Sequence, residues 1–459
     1  QEYYNKVHWS EAGRIRRDLE FIAAHTGAPD LIIVDSNFGM FKQDLDTCHV
    51  LAELQQSRGW PSHIHVSAGK NRKERVIEAA SIVNGAINLS ATIQSMDLQV
   101  LENVKRRNIS LDDIVMVGKE AEKLGANSYS EIILCLPGDT REAHFNSVAT
   151  MVDVGINVLR MYQLMMLPGS EMSSVEVRRQ HEMQTRYRVL PRCFGNYAMW
   201  DRQVPVYEIE EICVANSTMS YHDYLDCREL NLSSELFYNS GVFREVISLL
   251  THYGIAPSRF LLAAHEAASA TRGGVAEVYD GFRRETHESL WTERAELEAF
   301  LAQPGVVDQY LDGTLGSNEL FKYRAAGFFH HQDDLHDLAF EVAARLLEEA
   351  GLMDEAVADY LAELKRYSCY RKTKLLDTAR AFEAPFVHDF KLHEAHGFDG
   401  IAPRFATPQI LSFSHESGQA SLIASYIRQY GTSLNGLGRI LLRSHVNKLY
   451  RQASVVPEL

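Results

Sequence analysis

No run of apolar residues in this 459-residue chain approaches the roughly 18–20 that a membrane-crossing helix needs, so no span is expected. Positive charge is in short supply. Lys and Arg total 46 against 61 Asp and Glu, a formal net charge of -15. That balance argues against nucleic acid or an anionic membrane as partner, because phosphate-rich surfaces attract basic proteins. Cysteine is sparse too. Cys48, Cys135, Cys193, Cys213, Cys227 and Cys369 are scattered without close pairs. A chain of this size has core enough without disulfides, so a reducing cytoplasm is the expected setting. The opening residues, Gln1 to Asn5, show no signal-peptide apolar core and no initiating Met. Low-complexity tracts and fixed-period repeats are also missing. Hydrophobic residues at 46% and charged residues at 23% then exclude wholesale disorder, and the length suits two or three domains.

The first 170 residues alternate short β-rich runs with amphipathic stretches. Candidate strands cover 31–38, 63–69, 86–93, 129–136 and 157–167, with helices at 43–58, 72–83, 110–124 and 140–154. Ser110 with Asp113 predicts a helix start, and Gly125 a stop. This is an α/β pattern with a parallel sheet. A helix at 10–26 leads straight into the strand at 31, although a repeating βα architecture would give it a strand of its own; the expectation is a chain that starts one strand late. One further strand is predicted within 204–214. Beyond it the pattern is mainly helical, with helices at 234–253, 292–302, 335–350, 353–367 and 419–430. The predicted division is 1–235 and 236–459.

Parallel strands covered on both faces usually read as continuous apolar runs. These do not. Polar residues recur every second position: Asp35 and Asn37; His63, His65 and Ser67; Asn88, Ser90 and Thr92; Arg160 and Tyr162; Glu131 and Cys135 are spaced to match. Period two places each set on one face of its strand. If the sheet curls, that face lines a cavity; the competing reading puts the polar groups at strand ends near loops.

Four stretches resemble, in order, the radical S-adenosylmethionine (radical SAM) superfamily, in particular its cobalamin-associated branch. They are Ile33-Val34-Asp35-Ser36-Asn37-Phe38-Gly39-Met40, then Leu89-Ser90-Ala91-Thr92-Ile93-Gln94-Ser95-Met96-Asp97, then Glu131-Ile132-Ile133-Leu134-Cys135-Leu136-Pro137-Gly138-Asp139-Thr140, and Tyr162-Gln163-Leu164-Met165-Met166-Leu167-Pro168-Gly169-Ser170-Glu171. The resemblance covers roughly residues 1–200. It implies an incomplete radical SAM-type partial (β/α) barrel followed by a mainly helical C-terminal domain. The family's CxxxCxxC loop, whose thiolates hold a [4Fe–4S] cluster, does not occur in this sequence. The cluster's ligands are therefore not expected in this chain; truncation is the expectation that covers both this and the missing leading strand, with loss in a degenerate paralogue as the alternative.

The resemblance implies an enzyme that cleaves SAM at the cluster to start radical chemistry, with cobalamin-dependent methyl transfer or rearrangement as the outcome. Its implied partners are a small-molecule substrate and an electron donor such as flavodoxin or ferredoxin. Asp35 and Asn37 are implied to meet the SAM amino group, Ser90 and Gln94 the ribose or methionyl part, and Glu131 the ribose hydroxyls. Ile133 and Leu167 would cover the adenine. Each has a plainer alternative: Ser90 and Gln94 as turn residues, Glu131 in a salt bridge with Arg160, Ile133 and Leu167 as core, Asp139 and Thr140 as helix caps.

Two other functions compete. One is a TIM-like lyase or hydrolase using Glu131 and His65 as acid and base. The other is a non-catalytic scaffold that binds SAM, a nucleotide-like ligand or a partner protein. Two His-rich patches, His330 to His336 and His388 to His396, lack the helical spacing of a zinc motif and are read as satisfied or solvated side chains.

Overall fold

The computed structural model describes residues 9–69, 72–91, 93–108, 110–124, 128–398, 406–443 and 446–456. Thr92, Gly125 and the N-terminal residues 1–8 lie outside them. Two compact units divide the chain. The first takes Gln1–Gln94, Arg107–Ile132 and Val154–Arg160; the second takes Ser95–Arg106, Ile133–Asp153 and Met161–Leu459. The content is mixed α/β and mostly helical.

The early chain follows the predicted alternation: α1 (Ala12–His25), β1 (Asp30–Phe38), α2 (Lys42–Arg58), β2 (His63–Ala68), α3 (Lys73–Ile82), β3 (Leu89–Ser90), α4 (Leu98–Asn103), α5 (Leu111–Lys123), β4 (Ser128–Leu134), α6 (Arg141–Asp153) and β5 (Val158–Gln163). β1 and β2 pair in parallel, from Asp30 opposite His63 to Ile33 opposite Val66. Ile64 of β2 bridges Ile87, just ahead of β3. β3 then pairs with β4 in parallel, and β3, β4 and β5 lie in that order. Local chemistry sets the ends. Ser110 Oγ accepts the Asp113 N–H at 3.1 Å, and Gly59 closes α2 in the left-handed conformation. The expected strand 86–93 is only two residues long among the described residues, and Ala91, its N–H bonded to Tyr129 O at 2.9 Å, follows the last ladder residue.

In the second unit, α7 (Val175–Gln180) leads into an antiparallel ribbon of β6 (Gln184–Met199) and β7 (Arg202–Ala215). The 16-residue β6 is absent from the sequence expectations. Polar Gln184, Thr185, Arg186, Arg188, Arg192 and Asn196 are interspersed among its apolar residues, and Leu190-Pro191-Arg192-Cys193 breaks the alternation where the register shifts between Val189 and Phe194. Met165, beyond β5, bridges Ile212 of β7. The helix expected at 234–253 is two helices: α8 (Tyr221–Phe237), begun by a Ser220/Asp223 capping box, and Arg244–His252. Later helices include Pro257–Ala270, Gly274–Glu288, Glu319–His330, Gln332–Glu349 and Glu355–Lys372. A small antiparallel sheet, unexpected from sequence, runs β8 (Phe382–His388), β9 (Ala406–Ser414) and β10 (Gln452–Val455), with β9 in the middle.

α8 explains why amphipathic pattern fails in this region. Arg228, Glu229, Asn231, Ser233, Ser234 and Glu235 are buried alongside its apolar residues. Each buried charge therefore needs a partner. Arg228 donates to Glu319 at 2.7 Å, and Glu319 also accepts from Arg188 of β6 at 3.2 Å. Arg188 in turn donates to Glu210 of β7 at 2.5 Å. Burial alone raises the Glu319 carboxyl, but the two guanidiniums outweigh it and hold the group below its ordinary value. Its stabilisation is thus full above the unfolded carboxyl pKa of about 4.3 and is lost as pH falls through the lower folded value.

Glu319→Gln leaves two buried guanidiniums short of a countercharge, and the expected cost is about 3–5 kcal/mol. Urea midpoints at pH 7 measure it. The variant should also lose part of the acid-unfolding limb. An unchanged midpoint would show that the network contributes little.

Candidate functional site

In the first unit, residues 34–37 of β1 oppose Ser67 alone, between the Ile33–Val66 and Phe38–Ala68 pairs. The chain bulges there, and Val34, Asp35, Ser36 and Asn37 are all exposed. The common face expected for Asp35 and Asn37 is therefore corrected. A bulge cancels strict alternation and re-aims side chains. Asp35 Oδ1 accepts the Asn37 N–H at 2.7 Å in a local turn. Beyond it, buried Asp44 accepts the N–H groups of Gly39 and Phe41 at 2.8 and 3.0 Å. Gly39 has φ +85°, and a Cβ there would stand 3.2 Å from Val76, so this turn requires glycine.

Ser90 is buried, and its carbonyl accepts from Lys73 Nζ at 2.9 Å. Lys73 reads in sequence as the first residue of an ordinary helix, so a buried ammonium held by strand-end carbonyls was not anticipated. Gln94 is half-buried and makes no side-chain hydrogen bond among the described residues. Glu131 is half-buried on β4 in the same condition. The salt bridge suggested with Arg160 does not form, because the Arg160 guanidinium stacks over Tyr129 at 4.7 Å. His65 turns to Asp30, with Nε2 3.7 Å from Oδ2. The lyase or hydrolase alternative needs His65 beside Glu131, and no such pair is present among the described residues.

In the second unit, half-buried Ile133 packs on a core of Leu134, Leu136, Ile212 and Val214. β4 ends at Leu134, and Cys135 takes φ +68°, a conformation a non-glycine residue adopts only under constraint. Cys135 therefore does not continue the face of Glu131. The constraint is visible. Asp139 Oδ2 accepts the Cys135 N–H at 3.3 Å, Asn216 Nδ2 donates to Leu136 O at 2.9 Å, and Thr218 Oγ1 donates to Asp139 O at 2.7 Å. Thr140, as expected, caps α6 by accepting the Ala143 N–H at 3.0 Å. Leu167 lies past β5 and is 55% exposed, so it is not core. Its carbonyl accepts from the hydroxyls of Ser170 and Ser173 at 2.7 and 2.8 Å.

The cysteines test whether an iron–sulfur cluster fits. Cys135 and Cys213 stand with Sγ atoms 3.7 Å apart. Their hydrogen bond and burial push the Cys135 thiol well up, while burial raises Cys227 and takes Cys48 and Cys369 up to about 12. Cluster ligands are thiolates, and these sites disfavour the thiolate. Among the described residues no three cysteines come close enough together to hold a cluster. His336 and His393 are hydrogen-bonded inside the core, to Ser368 at 2.9 Å and Tyr360 at 3.1 Å.

No protein-family model matches the sequence. Part of the chain is similar to a cobalamin-dependent radical SAM methyltransferase and to a second methyltransferase. The cobalamin-dependent radical SAM methyltransferase TokK of Streptomyces tokunonensis is 31% identical over 179 residues, 38% of this chain and 26% of TokK. The 2-(S-pantetheinyl)-carbapenam-3-carboxylate methyltransferase of Streptantibioticus cattleyicolor is 29% identical over 170 residues, 36% of this chain and 25% of that protein. The chain thus spans about a quarter of the length of the curated relatives it matches. Among solved structures, the radical SAM methyltransferase TsrM from Kitasatospora setae, with cobalamin and a [4Fe–4S] cluster bound, is 15% identical with a TM-score of 0.31, covering 37% of this chain and 32% of TsrM. A TsrM structure with tryptophan and the SAM analogue aza-SAM scores the same over 41% and 36%. At that score the superposition places no residue.

The turn after β4 yields a pH prediction. Burial pushes the Asp139 carboxyl up to about 7, and burial also pushes nearby His144 down to about 4, leaving it neutral. Between about pH 4 and that value folded Asp139 keeps a proton that the unfolded residue has lost, so its contribution to stability falls as pH rises, while His144, protonated only when unfolded between about pH 4 and 6.5, contributes in the opposite sense and offsets it. Asp139→Asn keeps the acceptor for Cys135 N–H and removes the offsetting contribution, so the melting temperature of the variant should rise more steeply from pH 5 to 7 than that of the wild type. An unchanged slope would mean that Asp139 titrates normally.

Proposed function

We propose that this chain is the SAM-handling part, with an attached helical region, of a cobalamin-associated radical SAM enzyme, and that its reaction is methyl transfer to a small-molecule substrate. The observation that carries this is the 31% identity with a cobalamin-dependent radical SAM methyltransferase, joined to four strand-end stretches in the family's order. On this reading β1 to β5 belong to a partial (β/α) barrel. The parallel β1–β2 and β3–β4 pairs, and the bridge from Ile64 to Ile87, support it. Residues 1–235 then carry the cofactor chemistry, and 236–459 form a mainly helical domain.

The roles follow from what each group offers. Asp35 and Asn37, displayed by the bulge, face the SAM ammonium, where a carboxylate accepts charge-assisted hydrogen bonds. Ser90 and Gln94 serve the ribose or methionyl part. Glu131, half-buried and without a side-chain partner among the described residues, accepts from ribose hydroxyls. Ile133 and exposed Leu167 give apolar cover to the adenine, which offsets the cost of leaving Leu167 in water. When bound, SAM supplies the adenosyl or methyl group; the chain binds it, orients it and keeps water away. The cluster is assigned to no residue here, because no three described cysteines come together; the electron donor (flavodoxin or ferredoxin) and the corrinoid belong to the same proposal without assigned residues.

Binding of S-adenosylhomocysteine to the 459-residue chain tests the reading by calorimetry, with no cluster needed. Glu131→Ala should weaken it by about 10-fold or more, the usual worth of a hydrogen bond to a charged group. Failure of the wild-type chain to bind at about 1 mM, roughly -4 kcal/mol, would overturn it. So would full binding by the variant.

A further inference from the structure

We propose that the cleft beside the β6–β7 ribbon and the start of α8 binds a small organic monocarboxylate, with Arg186 as the anion-recognising group. The cleft has a volume of about 400 Å³ and is lined by Thr185, Arg186, Tyr221, Thr292 and Glu293 among others. That volume lies within the range of small-molecule sites, roughly 300–1,000 Å³.

The ribbon's register explains why Arg186 is available. Arg188 lies opposite Glu210 and Tyr187 opposite Glu211, but Arg186 lies opposite Ile212. Arg188 spends its guanidinium on Glu210 and Glu319. Arg178 spends its own on Glu211, which it grips through both terminal nitrogens at 2.5 and 2.8 Å. Thr185 adds a hydrogen bond to Glu211 at 2.6 Å, so that carboxylate is consumed as well. Arg186 makes no ion pair among the described residues. Its guanidinium instead stacks over the Tyr221 ring, 4.7 Å from the centroid.

Stacking occupies the face of a guanidinium and leaves the in-plane N–H fork for a planar, two-oxygen acceptor. A carboxylate fits that fork bidentately. Tyr221 is itself fixed, its hydroxyl 3.0 Å from His287 Nδ1. The ring therefore holds Arg186 in one orientation before any ligand arrives, which lowers the ordering cost of binding. Glu293, also on the cleft and without an ion pair among the described residues, repels a second negative charge. That selects monocarboxylates over dicarboxylates. In the proposed methyl transfer the ligand is the methyl acceptor, and only this last assignment rests on that reading.

Titrating the chain, without SAM or metal, with benzoate, hexanoate and indole-3-acetate tests the cleft against their primary amides. Saturation-transfer NMR and calorimetry are the readouts. At least one carboxylate should bind with Kd of about 1 mM or tighter, and its amide about tenfold more weakly. Arg186→Gln should abolish that preference with an unchanged melting temperature. Arg186→Lys, which keeps the charge without the fork, should fall between, and it supplies the reading if the glutamine variant is unstable. Absence of binding by all three acids at about 10 mM, equal binding of acid and amide, or an undiminished preference in Arg186→Gln would overturn the proposal. S-adenosylhomocysteine binding is measured on the same sample, so the two readings fail separately.

Discussion

The second unit turns on a buried chain of charge: Glu210, Arg188, Glu319 and Arg228, each within 3.2 Å of the next. These residues come from β7, β6, the start of the helix Glu319–His330, and α8. A buried guanidinium without a carboxylate costs several kcal/mol, so the ribbon, α8 and the later helix cannot drift apart independently. The same chain leaves Arg186, two residues from Arg188, facing an isoleucine. The cleft is thus a by-product of how the ribbon's charges are matched. Arg188 has acids on two sides and Arg186 has none.

The β4 turn obeys a related constraint. Its Cys135 is held at φ +68° by hydrogen bonds from both directions, with Asp139 behind it and Asn216 and Thr218 beside it. A strained residue persists only where neighbours over-determine it, and such residues gather where a backbone must meet a ligand. The bulge at Asp35 and the buried Lys73 at Ser90 are comparable departures in the first unit. Regular β structure ends at each of these points, and polar groups take over.

Much of the early fold was legible because βα alternation writes itself in period and punctuation. The strands at 30, 63, 128 and 158 and their intervening helices begin within a residue of the expected positions. The motif from Leu136 to Thr140 also behaved as chemistry suggests, with Thr140 as cap. The misses have physical causes. β6 mixes three arginines among its apolar residues, and Pro191 interrupts its alternation. α8 buries charged residues on several faces, which no amphipathic stripe reveals. The fates of Asp35, Arg160 and His65 were invisible because a bulge and two partner choices are tertiary matters. Arg186 could have been found only from the cross-strand register, which a sequence does not print.

On the proposed function, separate strand ends serve one adenosyl ligand. Hydrogen–deuterium exchange with and without S-adenosylhomocysteine tests that most directly. Exchange should slow at 35–39, 89–91, 129–135 and 162–167 together, saturating with one ligand per chain. Protection confined to a single one of these segments, or lying wholly elsewhere, would contradict it.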